Sequence, residues 1–410
     1  MSENREFDLV LMGATGFTGR LVAEHLLLRY PPGGDLKWAM AGRSEAKLQA
    51  VRGELGDAAA EIPLMVADSH DVAALESLAQ RAVAVISTVG PYARYGSELV
   101  AACAGAGTHY CDLTGEVQWV RRMIDAHEEA ARESGARIVH CCGFDSIPSD
   151  LGVWALQQAA VEKLGAPLDR ITLGVRRMKG GASGGTIASM FQALEEGRED
   201  KGIRKLMADP YGLNPTDAPR GPKVPDQTGA RYDEDLECWT APFVMAQVNT
   251  RVVRRSNAVL GFPWGEQFHY HETSITGRGF GGRSRAMATT GGLGAFMVGA
   301  SLAPTRALLQ RFVLPSPGEG PSAEARENGL FDMLLVGSNA QGTLKMAVTG
   351  DRDPGYGATS RMIGEAGAAL ALDGERLAVG GGSWTPASCF GQVLVDRLVA
   401  HAGMTFALVG

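Results

Sequence analysis

The chain has 410 residues, more than a single hydrophobic core usually organises, so two domains are expected. Apolar residues make up 45% and charged residues 21%, the balance of a globular protein without low-complexity tracts or internal repeats. The net charge of −7 argues against a nucleic-acid binder, which needs a basic face for phosphates. Six cysteines form no Cys-x-x-Cys pair, and the charged start runs directly into an apolar segment, leaving no room for a signal peptide. Free thiols in a reducing cytoplasm are expected.

Phe7 to Met12 reads as a strand with Asp8 its one charge, and Arg20 to Tyr30 as an amphipathic helix. Between them lies Gly13-Ala14-Thr15-Gly16-Phe17-Thr18-Gly19. Strand, glycine turn and helix in that order suit a nucleotide diphosphate: glycines let backbone approach it, and the helix start offers N–H groups and a positive dipole end. The spacing is Gly-x-x-Gly-x-x-Gly, which departs from the dinucleotide fingerprint Gly-x-Gly-x-x-Gly.

Lys37 to Ala41 is a second strand, ending in Gly42-Arg43-Ser44. An enzyme choosing NAD places a carboxylate near this tip, whereas Arg43, with Ser44 and Lys47 behind it, can hold the 2′-phosphate of NADP. The alternative for Arg43 is a solvated helix start. Ile62 to Ala67 is a third strand, and Asp68 at its end either bonds the adenine or caps the next helix. Ala84 to Val89 is a buried parallel-type strand, and Thr88-Val89-Gly90-Pro91-Tyr92 at its carboxyl end belongs near ribose and nicotinamide. Strands follow at Thr108 to Asp112 and Arg137 to Cys142, with helices between. This alternation predicts an α/β fold: a Rossmann-type doubly wound parallel sheet over residues 1–150.

Residues 151–383 have a different grammar and read as an α+β substrate domain, with 384–410 as a helix and strand returning to the first domain. Arg170 to Met178 alternates as a strand, and Pro210 to Gly229 is an exposed loop. Val244 to Leu260 and Phe268 to Thr276 look like antiparallel strands, and Leu330 to Thr349 like a hairpin around Gln341-Gly342. Gly291 to Ala303 is almost wholly apolar but shorter than the about 20 residues that span a bilayer. It is expected to be a buried helix, or one facing a lipid-like substrate or a membrane surface.

Taken together, the chain resembles the saccharopine-dehydrogenase-like oxidoreductases, and most closely the trans-acting enoyl reductases of actinobacterial lipid biosynthesis. The resemblance rests on Gly13–Gly19, Ala41-Gly42-Arg43, Thr88 to Tyr92, Asp112 to Glu116 and Gly143 to Asp150. It continues through Lys179 to Met190, Asn249 to Asn257, Asp353 to Ser360 and Trp384-Thr385-Pro386-Ala387. It implies a Rossmann domain, a second α+β domain, NADPH as cofactor, and reduction of a polyketide double bond on an acyl thioester.

Such a reduction needs a group for the developing enolate oxygen and a proton for the α-carbon. Tyr92, Tyr95 and Asp145 are the candidates, against packing over the cofactor for the tyrosines and helix capping for Asp145. Asp112 and Glu116 sit at the same edge and could bind ribose hydroxyls or hold a proton. Arg176, Arg177, Lys179, Arg251, Arg254 and Arg255 are either ordinary surface charge or a seat for a carrier protein's phosphopantetheine phosphate. They also suit the carboxylates of a saccharopine-type substrate. Gly181-Ala182-Ser183-Gly184-Gly185 formally matches a hydrolase nucleophile elbow, with His269, His271 or His401 as base. His269 and His271 lack a third ligand, so no metal is expected. A non-catalytic NADP-binding protein docked on lipid is a third class, and association of identical chains is compatible with all three.

Overall fold

The computed structural model describes residues 5–180, 184–301 and 320–410. The chain divides into two units, one of Met1–Ile147 with Gly355–Gly403, the other of Pro148–Pro354 with Met404–Gly410.

In the first unit the order is β1 (Phe7–Met12), α1 (Phe17–Arg29), β2 (Trp38–Gly42), α2 (Glu45–Glu54), β3 (Leu64–Val66), α3 (Val72–Arg81) and β4 (Ala82–Ser87). Then come α4 (Tyr92–Tyr95), α5 (Ser97–Ala106), β5 (His109–Asp112), α6 (Val117–Ser134) and β6 (Arg137–Val139). These strands form a parallel sheet ordered β3-β2-β1-β4-β5-β6, with one late strand added beyond β6. β1 and β4 are apolar and buried on both faces, as central parallel strands must be. The sheet's carboxyl edge carries the loops that sequence alone pointed to.

The second unit is built from α7 (Ile147–Leu164), β7 (Arg170–Lys179), α8 (Gly184–Glu199), α9 (Lys201–Ala208), β8 (Arg231–Asp233), β9 (Cys238–Ala241) and α10 (Ala246–Val259). It continues with β10 (His269–Gly277), α11 (Gly279–Ser301), α12 (Ala323–Glu327), β11 (Leu330–Asn339) and β12 (Gly342–Gly350). The chain then returns to the first unit with α13 (Thr359–Leu372), β13 (Gly382–Trp384), α14 (Pro386–Phe390) and α15 (Gln392–His401), and ends on β14 (Met404–Leu408). β13 is the late strand beside β6, in parallel. β14 instead pairs with β12, giving a second sheet ordered β14-β12-β11-β7-β10-β9-β8.

Helix α13 lies against β1, β4 and β5 and between α1 and α15. Its Glu365 is buried, and its carboxylate accepts from the Tyr30 hydroxyl and bonds His25 Nε2, each at 2.9 Å, and Arg397 at 3.1 Å. Burial would raise this carboxyl, but the His25, Tyr30 and Arg397 contacts outweigh it and hold Glu365 below its ordinary range.

Two expectations for the second unit are corrected. Val244 to Leu260 is mainly the helix α10, whose residues from Asn249 to Ala258 are all buried, so no one-sided apolar period set it apart from a strand. Its β-branched valines gave a false strand signal. β10 is antiparallel to β9 but parallel to β7. The β11–β12 hairpin is as expected, its turn held by an Asx turn at Asn339, whose side chain accepts from Gln341 N and Gly342 N.

Candidate functional site

The site begins where β1 ends. Gly13 has φ +92°, a left-handed value that costs an L side chain dearly, and a Cβ there would meet Thr88 Oγ1 at 2.7 Å. A Cβ on Gly19 would stand 2.1 Å from the Gly13 carbonyl oxygen, so only glycine lets α1 pack on the turn. Gly16 differs: a Cβ there meets only the Gly13 carbonyl, at 3.4 Å, and the residue is exposed. Gly16 is the N-cap of α1, and no side chain caps that end. The turn thus presents a bare, exposed backbone at a positive helix end, which fits a dinucleotide diphosphate.

Neighbouring strand ends are tied to this turn. Gly13 N and Ala14 N donate to the Ala41 carbonyl at 2.9 and 3.2 Å, fixing the tip of β2 beside it. Thr88 N donates to the Met12 carbonyl at 3.0 Å, and Thr88 Oγ1 lies 3.2 Å from the same oxygen. The Val89 side chain also borders Gly13. Ala14, Thr15, Phe17 and Thr18 complete the turn, with the Phe17 ring edge-on to Tyr356 at 4.7 Å.

At the β2 tip Arg43 is exposed and has neither ion pair nor hydrogen bond through its side chain among the described residues. Ser44 caps α2, its hydroxyl accepting from Lys47 N at 3.4 Å. Asp68 is exposed and accepts from His70 N at 3.0 Å, while the cap of α3 is Asp71, which corrects the capping alternative for Asp68.

Beyond β4, Gly90 is exposed and Pro91 precedes α4. The Tyr92 hydroxyl is buried, donates to the Ser87 carbonyl at 3.0 Å and accepts from Leu113 N at 3.1 Å. Burial first, then the charge of Asp112, push this phenol well above its ordinary pKa. Tyr92 therefore anchors two strand ends to each other. Glu116, also buried, accepts from Tyr92 N at 2.8 Å and Ala93 N at 2.9 Å, capping α4. Asp112 accepts from Thr114 N and Cys141 N and bonds His140 Nδ1 at 2.6 Å. Both carboxylates are thereby committed to structure.

Two candidates remain less committed. The Tyr95 hydroxyl has no hydrogen bond among the described residues, and its half-buried ring sits 5.5 Å from His70. Asp145, in the loop after β6, is half-buried, and its carboxyl has no hydrogen-bond partner among the described residues. Desolvation alone lifts it to about 6.

In the second unit the basic cluster of α10 is not surface charge. Arg251, Arg254 and Arg255 are all buried. Arg251 pairs with Asp226 and donates to the Met207 carbonyl, Arg254 donates to the Tyr270 and Val224 carbonyls, and Arg255 to the Leu213 carbonyl. They pin the 210–229 loop from beneath. A second buried cluster escaped sequence reading: Glu272 accepts from Tyr270 OH at 2.7 Å and Asn249 Nδ2 at 2.9 Å. Burial outweighs these bonds and raises Glu272 to about 7. The only sequence signal was a polar residue among inward positions of β10. His271 bonds Asp233 at 3.1 Å, and no three metal-ligating side chains converge among the described residues. Of the hydrolase-like stretch, residues 181–183 lie outside the described residues.

The expected apolar segment is also not buried core. Gly291, Gly292, Gly294, Ala295 and Val298 of α11 are exposed, and Leu293, Phe296 and Met297 half-buried; Leu302 and Ala303 lie outside the described residues. No helix among the described residues is long and apolar enough to cross a membrane.

Residues 9–139 match the family model of the saccharopine dehydrogenase NADP binding domain. The chain is 42% identical to a trans-acting enoyl reductase of Mycobacterium ulcerans, over 97% of this chain and 96% of that protein. It is 41% identical to a trans-acting enoyl reductase of Mycobacterium tuberculosis, over 96% of each. The chain belongs to the trans-acting enoyl reductase family of saccharopine-dehydrogenase-like oxidoreductases. In fold this reductase is similar to apo saccharopine dehydrogenase of Saccharomyces cerevisiae, with a TM-score of 0.57 at 11% identity over 98% of this chain and 99% of the other. It is also similar to the homospermidine synthase of Legionella pneumophila, with a TM-score of 0.52 at 10% identity over 99% and 91% of the two chains. The reductase is NADP-dependent, and its glycine turn offers the bare backbone that this cofactor requires.

Proposed function

We propose that this reductase uses NADPH to saturate the α,β-double bond of an acyl or polyketide thioester presented by a carrier. Full-length identity to trans-acting enoyl reductases supports the reaction class. The observation that carries the mechanism is Asp145, a carboxyl without a hydrogen bond among the described residues and raised to about 6, in a loop at the sheet's carboxyl edge. Bound NADPH supplies the hydride for the β-carbon.

The chain's own residues do the rest. Gly13 to Gly19 receive the diphosphate on backbone N–H groups, and Arg43, with Ser44 and Lys47 behind it, holds the 2′-phosphate. Asp68 reaches the adenine end, and Thr88, Val89, Gly90 and Pro91 border the ribose and nicotinamide. The protonated Asp145 carboxyl gives its proton to the α-carbon and leaves as carboxylate, to be reprotonated from solvent. Tyr95, whose hydroxyl has no hydrogen bond among the described residues, bonds the enolate oxygen.

The arginines of α10 are buried and engaged, which closes them to the carboxylates of a saccharopine-type substrate. The same finding moves any contact with a carrier's phosphate to Arg177 and Lys179, which are exposed on β7. The test is NADPH consumption with enoyl thioesters on carrier protein or on coenzyme A. Turnover that is faster on the carrier supports the proposal, and no turnover on either refutes it.

A further inference from the structure

From Cys141 to Asp150 every residue is buried except Asp145. Asp145 sits in a turn closed by Ser146 N and Ile147 N, which donate to the Gly143 carbonyl at 3.1 and 2.9 Å. The turn does not hold itself in place. The chain enters it through Cys141, whose φ of +64° is a left-handed value that an L side chain resists. Backbone strain of this kind persists only where the surroundings over-determine it.

Three neighbours supply that constraint. The Asp112 carboxylate accepts from Cys141 N at 3.1 Å, and the Asp112 carbonyl accepts from Cys142 N at 2.7 Å. Leu113 and Thr359 close on the next residue, so that a Cβ on Gly143 would stand 2.8 Å from one and 3.2 Å from the other. Phe144 N then donates to Thr359 Oγ1 at 3.0 Å. Asp112 and Leu113 belong to the adjoining strand end, but Thr359 comes from far along the chain.

Thr359 is buried and opens α13. It follows directly on a π-helical turn, Pro354–Ala358, a wide backbone form that recurs at functional sites. Within that turn the buried Tyr356 ring stands edge-on to the Phe17 ring at 4.7 Å. Phe17 is the first residue of α1 and follows Gly16, the bare helix end. The short segment from Tyr356 to Thr359 therefore touches the glycine turn with one side chain and the Asp145 turn with another. Behind it, α13 is packed on β1, β4 and β5, which makes the segment a fixed spacer.

We infer that Thr359 is a positioning residue for Asp145, and that Tyr356 sets it against the cofactor turn. The inference rests on the reading of Asp145 as proton donor. Through Phe144 N, Thr359 holds the turn that brings the Asp145 carboxyl to the α-carbon once NADPH is seated. Misplacing a reacting group by about 1 Å can cost on the order of 10²-fold in rate, so one hydrogen bond at the base of the turn matters.

The test is a cycle of single-turnover rates at saturating NADPH with a carrier-bound enoyl thioester, on Thr359→Val, Asp145→Asn and the two combined. Valine keeps the shape of threonine, including the methyl beside Gly143, and removes the acceptor. Thr359→Val should slow reduction about tenfold with NADPH affinity unchanged, and Thr359→Ser, which restores the hydroxyl, should recover the rate. In the Asp145→Asn background Thr359→Val should have no further effect, because no donor is left to misplace. A wild-type rate in Thr359→Val beside a slow Asp145→Asn overturns the inference and leaves the donor standing. Equal losses in both backgrounds also overturn it, since the effect then does not pass through Asp145. A full rate in Asp145→Asn refutes the donor, and the inference with it. If Thr359→Val melts too early for its rates to be read, Tyr356→Leu takes its place in the same cycle, with the same expected and contrary outcomes.

Discussion

The Tyr92 hydroxyl donates to the Ser87 carbonyl across 3.0 Å of buried space at the end of β4. With Leu113 N donating to the same oxygen at 3.1 Å, the phenol ties the ends of β4 and β5 together. Tyr92→Phe should therefore cost about 1 kcal/mol of stability and leave turnover within a few-fold of wild type. Chemical denaturation and steady-state kinetics on the same preparation check it; a loss of turnover at unchanged stability would return Tyr92 to the chemistry.

Asp145 gives a pH dependence of definite sign. Its folded-state pKa is raised from 3.8 to about 6 by desolvation, so the folded chain holds the proton that the unfolded chain releases. The contribution of Asp145 to stability thus falls as pH rises from 3.8 to about 6. The proton-transfer step, which needs the acid form, should slow above that pH. Asp145→Asn should remove both dependences and lower turnover by roughly 10²-fold. Single-turnover rates across pH decide it, and an unchanged rate in the variant excludes Asp145 as donor.

The cofactor turn separates two glycines by what a methyl group would strike. Gly16→Ala meets nothing closer than 3.4 Å, so the fold should persist while NADPH affinity drops, because the methyl stands where the diphosphate approaches. Gly19→Ala collides with backbone at 2.1 Å and should destabilise the first unit itself. Calorimetric titration beside thermal melting distinguishes the two; equal loss of stability in both variants would contradict the reading of Gly16.

Arg43 stands exposed at the β2 tip, its side chain unpaired among the described residues. Arg43→Ala should weaken NADPH binding by about 1.5–3 kcal/mol and NADH binding far less, since only the former has a 2′-phosphate to lose. Equal losses in parallel titrations would place that phosphate elsewhere.

The first sheet was legible because local signals suffice for it: an apolar strand, a glycine turn and a helix each declare themselves within a dozen residues. Arg43 was legible for the same reason, as the residue just past a strand tip. What the Tyr92 hydroxyl or the Glu116 carboxylate bonds to is decided by residues 5 and 24 positions away, which no local pattern records. The arginines of α10 misled because charge reads as exposure until loop carbonyls are found to receive it. The placement of α13 against β1 is likewise set by contacts more than 300 residues distant in sequence.

Hydride transfer from NADPH to the β-carbon of an enoyl thioester is tested most directly by isotope. NADPH deuterated at the transferred position is incubated with the full-length protein and a carrier-bound enoyl thioester, and the product is analysed by mass spectrometry. One deuterium per product is expected, located on the β-carbon, with a solvent-derived hydrogen on the α-carbon. An unlabelled, unreduced thioester, together with label entering saccharopine from lysine and 2-oxoglutarate, would contradict the proposed reaction.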